Sequence, residues 1–374
     1  MNEAGLYVHV PFCRRKCPYC AFYSSERLER IPSFLQALRT ELQGDFSPFG
    51  VFDTVYIGGG TPSLLDEGRI ASLLEAVHNA LPIAPAAETT IEINPADKNL
   101  SWFKALRVMG IDRVSLGVQA FDDDALRFLG RRHGAAQAEE AVSLARQAGF
   151  ANIGLDLIYG LPGQSRASWR KTLRKALTFA PEHLSCYELS AEEGTPLGER
   201  VAGGETPLPD EEEQARFLSD TEAFLGEAGY IQYEVSNYAR SEGLRSRHNS
   251  KYWRRIPYLG LGPGAHSFLP ERRWWNATPV EAYLEALQTG RSPVAGSEAL
   301  SSQQVRMEEV LLGLRTIEGI DTEAFARRHG IDLLKEKKAW MEKATEAGLI
   351  VVRKGCIRCT PRGLAVADRL ALDL

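Results

Sequence analysis

The stretch LYVHVPFCRRKCPYC (residues 6–20) decides the fold, because it joins a short apolar run to three closely spaced cysteines. Leu6–Val10 has the length and composition of a β-strand. Cys13, Cys17 and Cys20 follow at spacings of four and three residues. Pro18 would disturb a helix, so we predict that the cysteines lie on a loop that wraps around a ligand.

The alternation of short apolar runs with longer amphipathic ones continues through the first half of the chain. Further candidate strands are Phe52–Ile57, Thr89–Ile93, Arg113–Gly117, Asn152–Leu157 and His183–Leu189. Candidate helices between them are Ile31–Leu42, Asp66–Asn79, Leu100–Val108, Ala135–Ala148 and Ala167–Phe179. Parallel strands joined by crossover helices predict an α/β fold, here a partial (β/α)6 barrel of the TIM type.

Polar residues recur where the candidate strands end. The cysteines follow the first strand, and the later strands end at or near Gly58–Ser63, Glu92, Gln119, Asp156, Glu188 and Ser190. In a parallel barrel these positions share the C-terminal face, where the loops after the strands build a site. We therefore expect one cofactor pocket at that face.

The three cysteines are typical of iron–sulfur ligation, in which a cubane with four irons normally takes four thiolates. Supplying three would leave one iron open to a small molecule. Arg14, Arg15 and Lys16 would favour the thiolate form. The alternative is a structural zinc site with His9 or Cys186 as fourth ligand, in a scaffold that binds a partner protein.

Together with ordered sequence blocks, the cysteine pattern resembles the radical S-adenosylmethionine (SAM) superfamily, in its coproporphyrinogen III oxidase-like branch. The blocks are Tyr7-Val-His-Val-Pro-Phe-Cys13, Gly58-Gly-Gly-Thr-Pro-Ser63, Ile91-Glu-Ile-Asn-Pro95, Ser115-Leu-Gly-Val-Gln-Ala-Phe121, Leu129-Gly-Arg-Arg-His133 and Asp156-Leu-Ile-Tyr-Gly-Leu-Pro162. They occur in order across residues 7–165, and weaker similarity continues to the C-terminus.

This resemblance implies a [4Fe–4S] cluster on Cys13, Cys17 and Cys20, with SAM bound at the open iron. The positions that match SAM contacts in the family are Tyr7, Tyr19, Gly60, Thr61, Glu92, Gln119, Arg131 and Asp156. The chemistry agrees, since glycine admits a close backbone approach, carboxylates can hold an ammonium or ribose hydroxyls, and Arg131 can bind a carboxylate.

Two departures separate the chain from the oxygen-independent oxidases of that branch. They carry a further cysteine two residues after the third, where this chain has Phe22, and an N-terminal extension before the first strand. The chain instead resembles relatives that act as haem chaperones, so we predict that coproporphyrinogen III oxidase activity is absent. Such an oxidase, or another radical SAM enzyme acting on a tetrapyrrole, is the alternative.

The segment His248-Asn-Ser-Lys-Tyr-Trp253 matches a signature associated with haem in those relatives. Imidazole is a common axial ligand of haem iron, so His248 is the candidate ligand, with Asn249, Tyr252 and Trp253 beside it. The aromatic rings can pack on a porphyrin face. His266 is a second candidate ligand. The resemblance implies that haem is passed to acceptor proteins, whose identity the sequence does not give.

Three domains are predicted: the barrel (residues 1–240), an extension rich in aromatics and glycine that ends in a linker (241–295), and a C-terminal winged-helix-like domain (296–374). The linker is placed at Thr289–Ala299. Helices are expected at Ser301–Leu314, Asp321–His329 and Leu333–Ala347, before a hairpin of Leu349–Arg353 and Cys356–Thr360. A lone pair of cysteines, Cys356 and Cys359, is interpreted as part of that hairpin.

Charge and hydropathy exclude several classes of function. The formal net charge is −5, and residues 301–374 carry 13 Lys and Arg against 11 Asp and Glu, so we predict no nucleic-acid partner. No run of about 18 apolar residues occurs, and the start lacks a secretory pattern. We expect a cytoplasmic protein without a membrane span, and peripheral membrane association stays open.

Overall fold

A computed structural model describes residues 3–96 and 98–374. Six parallel strands form its centre in the order β1 to β6. Their bounds are β1 (Ala4–Val10), β2 (Phe52–Gly59), β3 (Ile83–Ile93), β4 (Arg113–Gln119), β5 (Asn152–Tyr159) and β6 (His183–Glu188). The predicted strands are confirmed, and most extend a few residues further than their apolar runs.

Helices connect these strands, five of them as predicted and one more at Asp123–Phe128. They are α1 (Ile31–Glu41), α2 (Glu67–Ala80), α3 (Leu100–Val108), α4 (Asp123–Phe128), α5 (Ala135–Gln147) and α6 (Arg166–Leu177). Asp66 and Asp122 cap α2 and α4, since each carboxylate accepts a backbone N–H three residues on. Gly110 adopts φ +87° after α3, in the left-handed region that ends many helices.

The strands alternate between an apolar outer face and a polar inner face. On β4, Val114, Leu116 and Val118 are fully buried against the helices, while Ser115 and Gln119 point to the other side. The same alternation holds on its neighbours, so the helices cover a continuous apolar core. The interior of the barrel is left polar, which suits a ligand.

The chain between the barrel strands and the C-terminal region adds to the same sheet rather than forming irregular structure. After α7 (Pro196–Ala202) and α8 (Glu211–Glu227) come β7 (Ile231–Gln232), β8 (Asn237–Ala239), α9 (Arg247–Trp253), β9 (Tyr258–Leu261), β10 (His266–Leu269), β11 (Arg272–Asn276), α10 (Val280–Gln288) and β12 (Val294–Ala299). The sheet order is β12-β11-β10-β9-β1-β2-β3-β4-β5-β6-β8-β7, so the barrel is open.

The predicted linker is therefore wrong for residues 294–299, which form β12 and pair antiparallel with β11. Gly290, Pro293 and Gly296 suggested a flexible segment, but Gly296 is needed for packing. A Cβ there would lie 2.5 Å from the ring of Trp275. The division into domains at residues 240 and 295 stays a prediction.

The C-terminal region has the predicted helices and hairpin, with two differences. Its elements are α11 (Ser302–Leu314), β13 (Ile320–Asp321), α12 (Thr322–His329), α13 (Leu333–Glu336), α14 (Lys338–Glu346), β14 (Ile350–Arg353), β15 (Cys356–Cys359), α15 (Pro361–Leu364) and α16 (Ala367–Asp373). The predicted helix Leu333–Ala347 is broken at Lys337, and β13 adds a third strand to the hairpin. Leu314, Phe325 and Ile357 form its separate apolar core.

Candidate functional site

The cysteine loop leaves β1 and is held at both ends by backbone hydrogen bonds. Cys13 N–H donates to Ser25 O at 3.0 Å, and Cys20 N–H donates to Cys17 O at 3.1 Å. Pro11 O accepts from Ser25 N–H at 2.6 Å. The loop therefore returns to its starting point, and this keeps the thiols at the end of the first strand.

Each of the three thiols either lines one cavity at the C-terminal face of the barrel or contacts a residue of its wall. Cys20 lines it directly. Cys13 Sγ lies 3.4 Å from Thr61 Oγ1, and the Arg131 guanidinium donates to Cys17 Sγ at 3.7 Å. Thr61 and Arg131 both line the cavity as well. None of the six cysteines is paired in a disulfide, so Cys13, Cys17 and Cys20 can all serve as ligands.

This cavity, called the cysteine cavity below, has a volume of about 490 Å³, within the range of small-molecule sites. Seven of the eight predicted SAM contacts line it: Tyr19, Gly60, Thr61, Glu92, Gln119, Arg131 and Asp156. The eighth, Tyr7, is not in its wall, because its hydroxyl is hydrogen-bonded to His9 Nδ1 at 2.9 Å. The expected strand-end residues Gly60, Thr61, Glu92, Gln119 and Asp156 are thus part of the wall.

Glu92 is held in place by two donors. The hydroxyl of Tyr56 donates to its Oε1 at 2.9 Å, and Gly59 N–H donates to its Oε2 at 3.0 Å. Burial, together with the nearby carboxylate of Asp156, raises the pKa of Glu92 to about 7. A bound cation would relieve both effects, so this carboxyl group is suited to an ammonium or sulfonium ligand.

Asp156 lies within β5 rather than at its end, and its carboxylate accepts from Ser115 Oγ at 3.1 and 3.0 Å. Burial raises its pKa, while the hydrogen bonds from Ser185 and Ser115 act in the opposite direction. Two fixed carboxyl groups therefore face the cavity from neighbouring parts of the sheet.

Arg131 and Gln119 frame the side of the cavity nearest the thiols. Arg131 donates to Gly117 O at 2.9 Å, and its buried Nε has no hydrogen-bond partner among the described residues. Gln119, the last residue of β4, has φ +65°, a strained value for a non-glycine residue. Both features are typical of a ligand site, since an unpaired buried donor calls for an acceptor.

The three consecutive glycines at the end of β2 have a packing role that the sequence argument missed. A Cβ at Gly60 would lie 2.7 Å from Phe12 O, and one at Gly59 would lie 2.7 Å from the His9 ring. Gly59 also has φ +115°. The glycines therefore let the β2 loop approach the start of the cysteine loop, besides exposing backbone to the cavity.

These residues fit a [4Fe–4S] cluster better than zinc. Neither proposed fourth zinc ligand can serve, because both nitrogens of His9 are hydrogen-bonded, to Tyr7 and to Tyr23 O, and Cys186 is 1% exposed in the apolar core. Within residues 3–96 and 98–374 no three Cys, His, Asp or Glu side chains converge on a single-ion site. Three thiols spread around a cavity, with an arginine beside one of them, suit a larger cluster.

The predicted haem residues do not form one site. His248 is 1% exposed, and its ring nitrogens are bonded to Thr54 Oγ1 at 2.9 Å and to the Tyr252 hydroxyl at 2.8 Å. Burial lowers the pKa of His248 to about 3. Asn249 lines the cysteine cavity, whereas Trp253 lines a second cavity. The signature therefore spans two separate places, and His248 is not accessible to a haem iron in this conformation.

Sequence reasoning also missed several residues of the cavity wall. Tyr56, Arg113, Ser115, His183 and Ser185 all line it. Each lies on the inner face of its strand, two or four residues from a residue that was predicted or from another of this group. The period of two along each strand was the signal that could have found them.

The fold and this site define a radical SAM protein. The family profile described as Radical SAM superfamily matches residues 7–176, and the HemN C-terminal domain matches residues 300–366. The solved structure of coproporphyrinogen III oxidase (HemN) from Escherichia coli superposes with a TM-score of 0.84 at 22% identity, covering 99% of this chain and 89% of that one. The partial barrel with a C-terminal helical domain is therefore confirmed.

Similar proteins of known name identify the family within this superfamily. The chain is 39% identical over 379 residues to heme chaperone HemW from Mycobacterium tuberculosis (strain ATCC 25618 / H37Rv), covering 99% of this chain and 94% of that one. HemW from Bacillus subtilis (strain 168) is 32% identical, with 97% of both covered. Radical S-adenosyl methionine domain-containing protein 1, mitochondrial, from Danio rerio is 33% identical, with 98% and 86% covered. The chain belongs to the HemW family.

Proposed function

We propose that this protein is a haem chaperone that holds a [4Fe–4S] cluster on Cys13, Cys17 and Cys20 and binds SAM beside it. The observation that carries the proposal is full-length similarity to proteins named heme chaperone HemW, at up to 39% identity. The cysteine cavity supports the cofactor part, since Cys20 and two fixed carboxyl groups line it, and Cys13 and Cys17 contact Thr61 and Arg131 of its wall.

In this proposal, different residues of the cavity bind different groups of SAM. When bound, the cluster supplies one iron with an open coordination position. Glu92 and Asp156 present negative charge to the ammonium, ribose hydroxyls or sulfonium of SAM, and the buried Nε of Arg131 is a donor for its carboxylate. Tyr19, Gly60, Thr61 and Gln119 complete the wall, and Tyr7 supports it from behind through His9.

The haem part of the proposal is tested by titration. Anaerobically reconstituted protein should bind haem with a shifted Soret band and pass it to an apo-haemoprotein. The proposal also places the protein in the cytoplasm, with haem and an acceptor protein as partners. No helix among the described residues has the length and apolar character needed to cross a membrane. Reconstituted protein with a full cluster but no haem binding would contradict the proposal.

An oxidase is the second candidate function, and Phe22 is the observation that bears on it. Its side chain is 70% exposed at the edge of the cysteine cavity, where the oxidases have a cysteine. An exposed ring cannot transfer a proton or hydrogen atom to a substrate. Reduced protein with SAM should therefore form no protoporphyrinogen IX from coproporphyrinogen III, measured beside an active oxidase. Multiple turnovers would favour the enzyme.

A further inference from the structure

A second cavity lies where the sheet extension meets the C-terminal region. It has a volume of about 470 Å³ and is called the Trp253 cavity below. One wall comes from α9 and β10, through Trp253 and Phe268, and the other comes from α11 and α12, through Glu309 and His329. Its size is close to that of the cysteine cavity, so it can hold a ligand of similar bulk.

The two cavities differ in the balance of charged side chains that line them. The cysteine cavity is lined by four carboxylates, Glu92, Asp156, Glu188 and Glu192, against two arginines, Arg113 and Arg131. The Trp253 cavity is lined by four arginines, Arg245, Arg254, Arg255 and Arg328, against three carboxylates, Glu309, Glu318 and Asp321. A cationic ligand such as SAM is favoured in the first cavity. In the second cavity an anionic ligand can bind the arginines only by replacing the carboxylates that pair with them, Glu242, Glu308, Glu309 and Glu318.

The walls of the Trp253 cavity also suit a flat aromatic ligand. Tyr233, Trp253 and Phe268 provide ring surface, and aromatic rings bury large apolar area in fixed geometry. The Nε of Arg245, the Nε of Arg255 and the indole N–H of Trp253 are buried without hydrogen-bond partners among the described residues. A ligand that carries carboxylates would supply the missing acceptors after small side-chain rotations.

One histidine, His329, lines this cavity, as His183 lines the cysteine cavity. His329 Nε2 lies 2.9 Å from Glu309 Oε2, and its ring is 4.5 Å from that of Phe325. A carboxylate bonded to one ring nitrogen orients the imidazole and makes the other nitrogen a better metal ligand. His248, by contrast, has both nitrogens engaged inside the barrel.

We propose that the Trp253 cavity is the haem site, with Trp253 packed on the porphyrin, the surrounding arginines paired with its propionates, and His329 as an iron ligand. The inference rests on the proposed function and assigns it a place. It also explains why the haem-associated segment ends at Trp253. That segment forms α9, which contributes Asn249 to the cysteine cavity and Trp253 to the haem site.

The test is a titration of haem into full-length, cluster-reconstituted protein, followed by the Soret band. Arg254→Glu and Arg328→Glu should each weaken binding by about tenfold or more, because a charge-assisted contact is replaced by repulsion. His329→Ala should shift the band and change the ferric haem spectrum. Ala324→Trp, which fills the cavity from α12, should abolish binding.

Matched controls keep the outcome interpretable. Arg353→Glu reverses the charge of an exposed arginine of the same region outside the cavity, and His78→Ala removes an exposed histidine on α2. Both should bind as the parent does. Iron content and thermal unfolding identify variants that fail to fold.

Two different results would overturn the inference. If the parent protein binds no haem, the proposed function fails and the site falls with it. If the parent binds haem and the four cavity variants bind equally well, only the site is wrong. Loss of binding in Asn249→Ala under those conditions would move haem to the cysteine cavity.

Discussion

The two cavities are built in different ways, although α9 contributes to both. The cysteine cavity takes its walls from the inner faces of consecutive parallel strands, so residues with a regular sequence spacing meet there. The Trp253 cavity takes its walls from segments between Tyr233 and His329 that the chain brings together by packing. Motifs can therefore reveal the first kind of site and not the second.

The difference also extends to polarity. Strand alternation makes the barrel interior polar and leaves its carboxyl groups partly unpaired with cations, as Glu92 and Asp156 are. In the Trp253 cavity most charges are already in ion pairs, such as Arg328 with Glu309 and Arg255 with Glu308. A ligand in the first cavity meets fixed charge, whereas a ligand in the second has to compete with protein pairs.

The largest expected effect is the loss of the cluster from the cysteine cavity, with the Trp253 cavity unaffected. Cys17→Ala should reduce iron from about four per chain to a small residue, because a cubane held by two thiolates is poorly ligated. Haem binding should persist in this variant if the sites are independent. Cys356→Ala, the matched control in the C-terminal hairpin, should keep the full iron content. A complete cluster in Cys17→Ala would contradict the assignment of Cys17 as a cluster ligand.

The next effect tests whether the C-terminal core can be weakened alone. Leu314 is fully buried in that core, so Leu314→Ala should lower the free energy of unfolding of this region by about 3 kcal/mol. Leu334→Ala removes a side chain that is 38% exposed and should have little effect. The change is measured by unfolding the protein in urea, with proteolysis of the C-terminal region as the readout. Loss of cluster iron in the native Leu314→Ala protein would show that the two regions are coupled.

A pH effect should arise at the junction that holds the sheet extension to the barrel. Glu41 on α1 accepts from Gly262 N–H at 2.8 Å and from the Tyr283 hydroxyl at 2.7 Å, and burial raises its pKa to about 7. In the unfolded chain the pKa of a glutamate is about 4.3. The folded state therefore binds the proton more tightly, and the free energy of unfolding should fall by about 2 kcal/mol as pH rises from about 5 to 7.

Glu41→Gln should flatten this dependence, since the amide does not titrate, although it also replaces one acceptor oxygen with a donor. Glu285→Gln, an exposed change on α10, should leave the slope as it is. The measurement is the urea midpoint at each pH. An equal slope in the parent and in Glu41→Gln would show that another group dominates.

The smallest effect concerns SAM. Asp156→Asn keeps the shape of the side chain and removes its charge, so SAM affinity should fall by about tenfold while iron content stays unchanged. The response of the reduced cluster's magnetic-resonance spectrum to SAM gives the affinity. Asp124→Asn, at an exposed position on α4, is the control. An unchanged affinity would place the ligand's cationic groups elsewhere in the cavity.

Local patterns were enough to predict the barrel strands, five of the helices between them, and wall residues of the cysteine cavity such as Glu92 and Gln119. They gave wrong predictions where the role of a residue depends on a contact with a residue distant in the sequence. Gly296 suggested a flexible linker because its contact with Trp275 is invisible along the chain, and His248 suggested an accessible ligand because Thr54 and Tyr252 approach it only in the fold.

The sequence by itself determined the βα alternation, the three thiols after β1 and the family, because each depends on short spacings or on ordered motifs. Only the tertiary structure decided which polar groups are paired. It enclosed His9 and His248 in hydrogen bonds, left Arg131 Nε beside the thiols without a partner among the residues that the structure describes, and opened the Trp253 cavity beside His329. The physical reason is that burial and hydrogen bonding are properties of the packed chain, and they set which side chains can receive a ligand.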